Sequence, residues 1–529
     1  MKNSKKKNLL RIIIPVYPTF NIYSFLAHKT TALGPVSVAT SARDAAGWDV
    51  EVVDENNLRR FGPTDEKGRA NHEIIQKERP ADIVGLYGGL TSTISRLYEL
   101  AKFYKQRGVT TIAGGQHFVD ETIPEALSSG VDYIAVGEAE ETIKDFLAAF
   151  SKGGDFASVP GIIYRKNGSI IKTSFREPIQ NLDDLPLPDF SLLRYSKLTF
   201  FPIGRVRGCG MNCEFCTVKG RPRYASPERL VEQVKRIVET MPAKSFFIID
   251  DLFGQNPLEA IRLCKLLKDY QNTIGKSLDF SVQIRLDKAH DKDLLGAMRE
   301  ANINSVAIGF ESPIDEELKA MNKRLKPEDM IQLTRAFHRF GFFIHGMFIF
   351  GYPMAKNGVF KMPVGERVKH FKQFIRKAEI DTIQVLLPVP LPGTDLRRRL
   401  QDENRVYSTK DLGWEYYDGN FPLIQPDYRL TPEEMQGAIR KIMSRFYHRW
   451  NLVKFLINMF SIPHLIFYFH KLKLGWRRWY RKWRNYLFRL GGSKMIKDWT
   501  RQLYKGPFFY KLQKAKQNLK NIKTQNSKH

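Results

Sequence analysis

Between Phe201 and Pro388, short apolar strand-like segments alternate with helical stretches, and this alternation constrains the fold more than any other feature of the chain. The strand-like segments are Phe201–Arg207, Ser245–Asp250, Asp279–Arg285, Asn304–Glu311, Phe343–Gly351 and Thr382–Pro388. Between them lie Pro227–Thr240, Asp291–Ala301 and Pro327–Phe340, which have the length and spacing of helices. Such a pattern predicts a parallel α/β sheet or a β/α barrel. In a barrel the functional groups gather where strands end. Polar residues do stand there: Asp250 and Asp251, Gln283 and Arg285, Glu311 and Ser312.

The first 150 residues repeat the theme in shorter units. Asn8–Pro15, Val50–Asp54, Asp82–Tyr87, Thr110–Gly114 and Tyr133–Val136 read as buried strands, with helices such as Pro35–Ala46, Ser92–Arg107 and Ala139–Phe150 between them. This is a doubly wound, Rossmann-like pattern, in which ligands bind at the carboxyl ends of the strands. Gly88-Gly89, Gly114-Gly115 and Gly137-Glu138 stand at those ends, where glycine lets backbone approach a large flat ligand or simply makes a tight turn.

Three of the four cysteines fall in Cys209-Gly-Met-Asn-Cys213-Glu-Phe-Cys216. Thiolates crowded on one loop, with Gly208 and Gly210 to bend the backbone, form a soft site suited to iron–sulfur or zinc. The fourth cysteine, Cys264, lies on the apolar stripe Leu258, Ile261, Cys264, Leu267 and reads as core. A cubane held by three thiolates leaves one iron open to a ligand; the alternative is a structural zinc completed by Cys264 or a remote histidine.

The loop, with Phe215 as its aromatic, and the strands that follow resemble the radical S-adenosylmethionine (SAM) superfamily. That resemblance implies a 4Fe–4S cluster on Cys209, Cys213 and Cys216, with SAM chelating the fourth iron and cleaved to a 5′-deoxyadenosyl radical by an electron from a cellular reductant. It further implies SAM contacts from Phe215, from Asp250 or Asp251 to the methionyl amino group, from Glu311 to the ribose, and from the Gly346–Gly351 stretch beside adenine. The family's Gly-Gly-Glu after the second strand is here Asp250-Asp251-Leu252.

Upstream, Leu33–Thr40, Gly47–Asp54, Gly114-Gly-Gln-His-Phe118 and Val131–Glu138 resemble the cobalamin-binding domain that precedes many radical SAM domains. Cobalamin contacts are implied for Gly88, Gly89, Gly114, Gly115, Gly137 and Glu138. The Asp-x-His-x-x-Gly motif that supplies an axial histidine elsewhere is absent, and His117 lies in a different context. The resemblance implies a cobalamin-dependent C-methyltransferase acting on an unactivated carbon of a small molecule, lipid or isoprenoid. A radical ring-forming enzyme like the oxidative cyclases and a non-enzymatic cobalamin or redox sensor are the alternatives. No residue declares itself as the catalytic acid or base; Tyr352, His345, His338 and Gln384 are pocket candidates only.

The resulting division is a cobalamin-binding-like domain over 8–152, a linker with a hairpin at Asn167-Gly168 over 153–195, a radical SAM domain over 196–400, and a mainly helical extension over 401–529. Four cysteines in 529 residues and no signal peptide predict a reducing cytoplasm. Of the net charge of +28, the segment from Arg449 contributes +19, with twenty Lys and Arg against Asp498 alone, and it carries five of the seven tryptophans. The apolar run Phe455–Phe469 is too short and interrupted for a membrane span, which needs about 20 apolar residues. Basic and aromatic residues beside such a run predict an amphipathic segment on an anionic membrane surface. The other readings are a helix packed on the barrel and, less favoured, nucleic-acid binding.

Overall fold

The computed structural model describes residues 7–526 except 23, 324, 355–359, 428 and 461–471; the side chains of 472–478, 525 and 526 are also outside the description. The apolar run noted above is therefore covered only as far as Phe460.

The N-terminal sheet has eight strands: β1 (Asn8–Ile14), β2 (Trp48–Asp54), β3 (Ile83–Tyr87), β4 (Thr110–Gly114), β5 (Tyr133–Ala135), β6 (Ile162–Lys166), β7 (Ser169–Lys172) and β8 (Leu193–Arg194). Their spatial order is β7-β6-β5-β4-β3-β1-β2-β8. β1 pairs in parallel with both β2 and β3, so the chain winds outward in two directions from it. The crevice at that reversal is where doubly wound sheets bind ligands. The hairpin β6–β7 turns on Asn167 and Gly168, whose φ of 50° and 81° is the left-handed conformation that Asn-Gly supplies at low cost. This hairpin and β8 join opposite edges of the sheet, so the stretch expected to connect two domains extends the first one.

The second sheet is β9 (Phe200–Ile203) followed by β12 (Ser245–Phe253), β13 (Asp279–Ile284), β14 (Ile303–Glu311), β15 (Phe343–Ile349) and β16 (Thr382–Leu386), all parallel and in sequential order. It is an incomplete barrel with β9 and β16 as its edges. A two-residue antiparallel ladder, β10 (Val206–Arg207) with β11 (Arg223–Tyr224), closes the base of the cysteine loop. Alternation along these strands sends Phe246, Ile248, Phe280, Val282, Val306, Ile308, Ile344 and Val385 under the helices, where all are buried. Phe247, Ile249, Ser281, Gln283, Ala307, Met347 and Gln384 fall on the other, concave face and are less buried.

The basic extension divides in two. Helix Leu472–Leu503 runs along the barrel, with Gly492 where a Cβ would strike the Tyr447 ring at 2.6 Å, and Ile496, Trp499 and Leu503 enter the core. Helix Phe508–Asn526 buries Phe508, Leu512, Ala515 and Leu519, with Phe508 against Tyr416 and Phe421. Lys511, Lys514 and Lys516 pair with Glu415, Asp411 and Glu433, so part of the positive charge is met by the body. Helix Asn451–Phe460 is different: Trp450 just before it, and Leu456, Ile457 and Phe460 on it, are exposed by 62%, 43%, 59% and 68%.

Candidate active site

The cysteine loop leaves β10 at Gly208 and returns at Gly220, both with positive φ, and a Cβ on Gly208 would lie 2.8 Å from the Arg221 carbonyl oxygen. Only glycine lets the two limbs approach so closely. The loop is tied down from several sides. The Gln255 amide donates to the Cys209 carbonyl at 2.8 Å, and Arg285 reaches the Met211 sulfur at 3.0 Å. Glu214, between two of the cysteines, accepts from Arg399 at 2.5 and 3.1 Å and from the Tyr352 hydroxyl at 2.6 Å. The Leu396 N–H donates to the Glu214 carbonyl at 3.0 Å, and Lys219 pairs with Asp395 at 3.1 Å. The helix Asp395–Asp402 thus grips the loop through main chain and side chain together. Phe215 packs in a small cluster with Met321, Tyr352, Leu396 and Leu400.

All three loop thiols are half-buried. Burial pushes the Cys209 and Cys216 thiols up; Asp251 and Cys213 add to the shift of Cys209, and Cys213 and Cys209 to that of Cys216, so the three sulfurs lie within electrostatic reach of one another. Among the described residues, no three His, Cys, Asp or Glu side chains are drawn close enough to hold a single ion. Cys264 is buried in the helix Pro257–Ile274, where burial pushes its thiol up to about 12, and it joins no group of three potential metal ligands among the described residues.

The two aspartates separate cleanly. Asp250 is fully buried and accepts from the N–H groups of Arg205 and Val206 at 2.7 and 3.0 Å; burial pushes its carboxyl up to about 6. Neither aspartate caps a helix, since Asn256 caps the helix that follows. Asp251 points to the opposite side, accepts from the Gly208 N–H at 2.9 Å and lines a cleft beside the cysteine loop. Glu311 ends β14 with φ 61° and folds back over Gly309, where a Cβ would sit 2.3 Å from its carboxylate. It pairs with Lys323 at 2.9 Å. Burial works against the Lys323 charge, but Glu311 and the Cys213 thiol outweigh it and hold the ammonium above its ordinary value.

Other expected positions are placed elsewhere. A Cβ on Gly346 would meet Ile380 and Phe348 at 3.0 Å, so this residue faces the helices. Gly351 turns with φ 71° against Met435. Tyr352 is fully buried, His345 bonds Thr382 at 3.0 Å, and His338 pairs with Asp381 at 3.1 Å, so all three have structural partners.

The cleft, about 730 Å³, lies between the sheets. Gly114, Gly115, Gly137 and Glu138 line it from the N-terminal side; Arg207, Gly208, Thr217 and Asp251 line it from the barrel side. Gly88 and Gly89 serve packing instead: a Cβ on Gly88 would strike Phe118 at 2.4 Å, and one on Gly89 the Tyr87 ring. A Cβ on Gly115, φ 128°, would lie 2.5 Å from the Gly88 carbonyl carbon, so the two strand ends touch through bare backbone. Glu138 holds the halves together through Arg223 at 2.6 and 3.0 Å and Arg207 at 3.1 Å. Burial raises its carboxyl, yet the two guanidiniums outweigh that and hold it below the usual range. Thr217, one residue past Cys216, donates to Gln116 at 2.9 Å.

His117 is turned away from the cleft, buried against Trp414 and Phe118 with Nδ1 3.4 Å from Thr91. Burial, helped by Arg397, lowers its pKa to about 3 and keeps the ring neutral. The clamps on Glu214 and Glu138 were not foreseen from sequence. Arg399 and Arg223 are ordinary arginines with no motif around them, and each meets its partner only through a fold spanning 185 and 85 residues.

Two family models match the chain: the Radical SAM superfamily over residues 203–356 and the B12 binding domain over residues 26–147. An uncharacterised methyltransferase of Pyrococcus horikoshii is 27% identical over 455 residues, covering 83% of this chain and 93% of that protein. The hopanoid C-2 methylase of Rhodopseudomonas palustris is 27% identical over 332 residues, 61% of this chain and 57% of the methylase. The solved structure of the radical SAM methyltransferase TsrM from Kitasatospora setae, with cobalamin and a 4Fe–4S cluster bound, shares the fold with a TM-score of 0.59 at 18% identity over 75% of this chain and 78% of that one. The chain thus carries a radical SAM domain preceded by a cobalamin-binding domain. The cofactors these two domains call for are a 4Fe–4S cluster with SAM, and cobalamin.

The residues present fit these groups. Three thiols sit on one pinned loop, and burial makes those of Cys209 and Cys216 costlier to ionise, a cost that a bound metal centre offsets by holding them as thiolates. On the other side, glycines leave room at the ends of β4 and β5 for a wide planar ligand.

Proposed function

We propose that this protein transfers a methyl group to an unactivated carbon of an apolar small molecule, a lipid or isoprenoid, while resting on the cytoplasmic face of a membrane. The reading rests on one observation: the glycine ends of the cobalamin-type sheet and the cysteine-loop end of the barrel open into the same cleft. When bound, the cluster supplies the electron that cleaves SAM and cobalamin carries the methyl group; the hard chemistry is the cofactors' own. The chain's task is placement. Cys209, Cys213 and Cys216 would hold the cluster, and the Glu214 clamp fixes their loop. Asp251, oriented by the Gly208 N–H, presents a carboxylate to the SAM amino group; Glu311, held by Lys323, serves the ribose. The concave barrel face offers Phe247, Ile249, Ala307 and Met347 to an apolar substrate, with Ser281, Gln283 and Gln384 to orient it.

The methyltransferase names of the relatives support methyl transfer, and the hopanoid methylase supports a lipid-like acceptor. Among the described residues no helix is long and apolar enough to cross a membrane, so the exposed helix Asn451–Phe460 suits a surface attachment. The test is anaerobic reconstitution followed by incubation with methyl-labelled SAM and a lipid extract. We expect about four iron and four sulfide per chain and label in the non-saponifiable lipid fraction, both lost in Cys213→Ala. Cleavage of SAM with no label in any lipid overturns the lipid acceptor.

A further inference from the structure

At the end of the barrel opposite the cysteine loop, beside the starts of β14, β15 and β16, lies a second cavity of about 780 Å³. Five guanidiniums line it, those of Arg299, Arg335, Arg339, Arg481 and Arg484. Two carboxylates stand near them. Glu379 pairs with Arg481 at 2.5 Å. Asp381 is fully buried beneath, already accepting from His338, from the Ile344 N–H and from Asn485. Arg335 and Arg339 make no ion pair among the described residues. Arg484 is half-buried, with its head 5.1 Å from the Phe343 ring centre and 5.8 Å from that of Tyr480, and its Nε has no hydrogen-bond partner. Burial and the neighbouring Arg481 both press its charge the unfavourable way, with only Asp381 and Tyr480 opposing.

Guanidiniums gathered at one cavity with too few acids repel one another, and a phosphate, which each can bind in a two-pronged fashion, removes that cost. The position says which phosphate. The stretch of helix that brings Tyr480, Arg481 and Arg484 to the cavity also carries Trp479 and Trp483 against helix Asn451–Phe460. Trp479 donates to the Asn458 carbonyl at 3.1 Å, and the Phe455 and Trp483 rings lie 6.2 Å apart. An anion pocket and a helix exposing Leu456, Ile457 and Phe460 are thus two faces of one packed pair of helices.

We propose that this cavity binds the phosphate headgroup of an anionic membrane lipid, turning the base of the barrel to the bilayer while helix Asn451–Phe460 enters the headgroup region. The proposal deepens the membrane-surface reading above and rests on it. It places the active-site cleft at the other end of the sheet from the membrane contact.

The test uses full-length reconstituted protein and flotation with phosphatidylcholine vesicles, with and without phosphatidic acid. The wild type should float with phosphatidic acid vesicles, and free inorganic phosphate should compete. Arg335→Gln with Arg339→Gln, two exposed positions where folding is not at issue, should weaken binding by roughly fivefold for each arginine; Arg484→Gln should weaken it further. Phe460→Ser should weaken binding to both vesicle types. Unchanged phosphatidic acid binding in the arginine variants, with Phe460→Ser still impaired, overturns the pocket and leaves the membrane reading standing. No flotation of the wild type with either vesicle overturns both. Arginine-dependent binding of inorganic phosphate or single-stranded RNA without flotation assigns the pocket to a soluble ligand and overturns the lipid.

Discussion

Asp250 and Asp251 are neighbours in sequence with opposite duties, because consecutive strand residues point to opposite faces. Asp250 satisfies two buried N–H groups. Asp250→Ala leaves both without a partner and should cost about 2–3 kcal/mol of stability, read as a lower melting temperature with SAM affinity retained in the folded protein. Asp251→Asn keeps the acceptor for Gly208 and loses the charge, so thermal stability should hold while SAM affinity by equilibrium dialysis falls; the reverse pair of results would move the cofactor contact to Asp250. His117 gives a pH signature. With its folded pKa lowered to about 3, the unfolded chain takes up a proton below its ordinary pKa while the native ring stays neutral, so stability is lost as pH falls from about 6.5 toward 3. Between pH 6.5 and 5 that loss is about 1.5 kcal/mol. His117→Asn should flatten this part of the acid slope in urea titrations and leave the absorption spectrum of bound cobalamin unchanged. The type of each residue was plain from sequence, but its direction was not: an Asp-Asp pair and a Gly-Gly-Gln-His stretch read the same whichever side chain faces the cleft.

At the scale of elements, the cysteine loop has almost no regular structure and depends on what surrounds it. Its two-residue ladder closes the base, and the helix Asp395–Asp402 holds the crest through Glu214. Arg399→Leu leaves Glu214 half-buried with the Tyr352 hydroxyl and no cation. We expect a destabilisation of about 2–3 kcal/mol, faster loss of iron from the reconstituted cluster under a chelator and an altered paramagnetic resonance spectrum, with Arg399→Lys restoring part of the iron retention. A melting temperature lowered without any change in iron loss or in the spectrum would make the clamp a general stabiliser with no hold on the loop. The strands themselves were legible, since runs such as Ser245–Asp250 and Phe343–Gly351 are short and apolar. The edges of the first sheet were less so: β8 has two residues, and pairing that brief leaves no periodicity to read. The charge of the C-terminal extension pointed to a surface, yet Trp499, Leu503 and Phe508 are buried, because aromatic residues interleaved with lysine satisfy a packed amphipathic helix as well as a membrane-bound one.

For the whole molecule, the consequential feature is that two sheets built for different cofactors present their functional ends to one cleft. Gly114 lines it, and a Cβ there meets only Ala135 at 3.5 Å, an ordinary contact, so Gly114→Val fits the protein while filling the cleft. We expect that variant to retain less than about one tenth of the wild-type cobalamin affinity, given the cost of overpacking a preformed site, with iron content unchanged; undiminished cobalamin binding would place the corrin elsewhere. Sequence by itself determined the two α/β units, the grouping of three thiols on one loop and the buried role of Cys264, because strand length, helical spacing and cysteine spacing are local quantities. Only the tertiary structure decided that Asp251 and not Asp250 reaches the cleft, that Gly88 and Gly89 serve packing, and that Arg399 and Arg223 clamp the loop and the domain interface. It also gathered five arginines at the base of the barrel. Those outcomes depend on which distant residues share a surface, and contacts between residues 85 or 185 positions apart follow from how helices and strands stack.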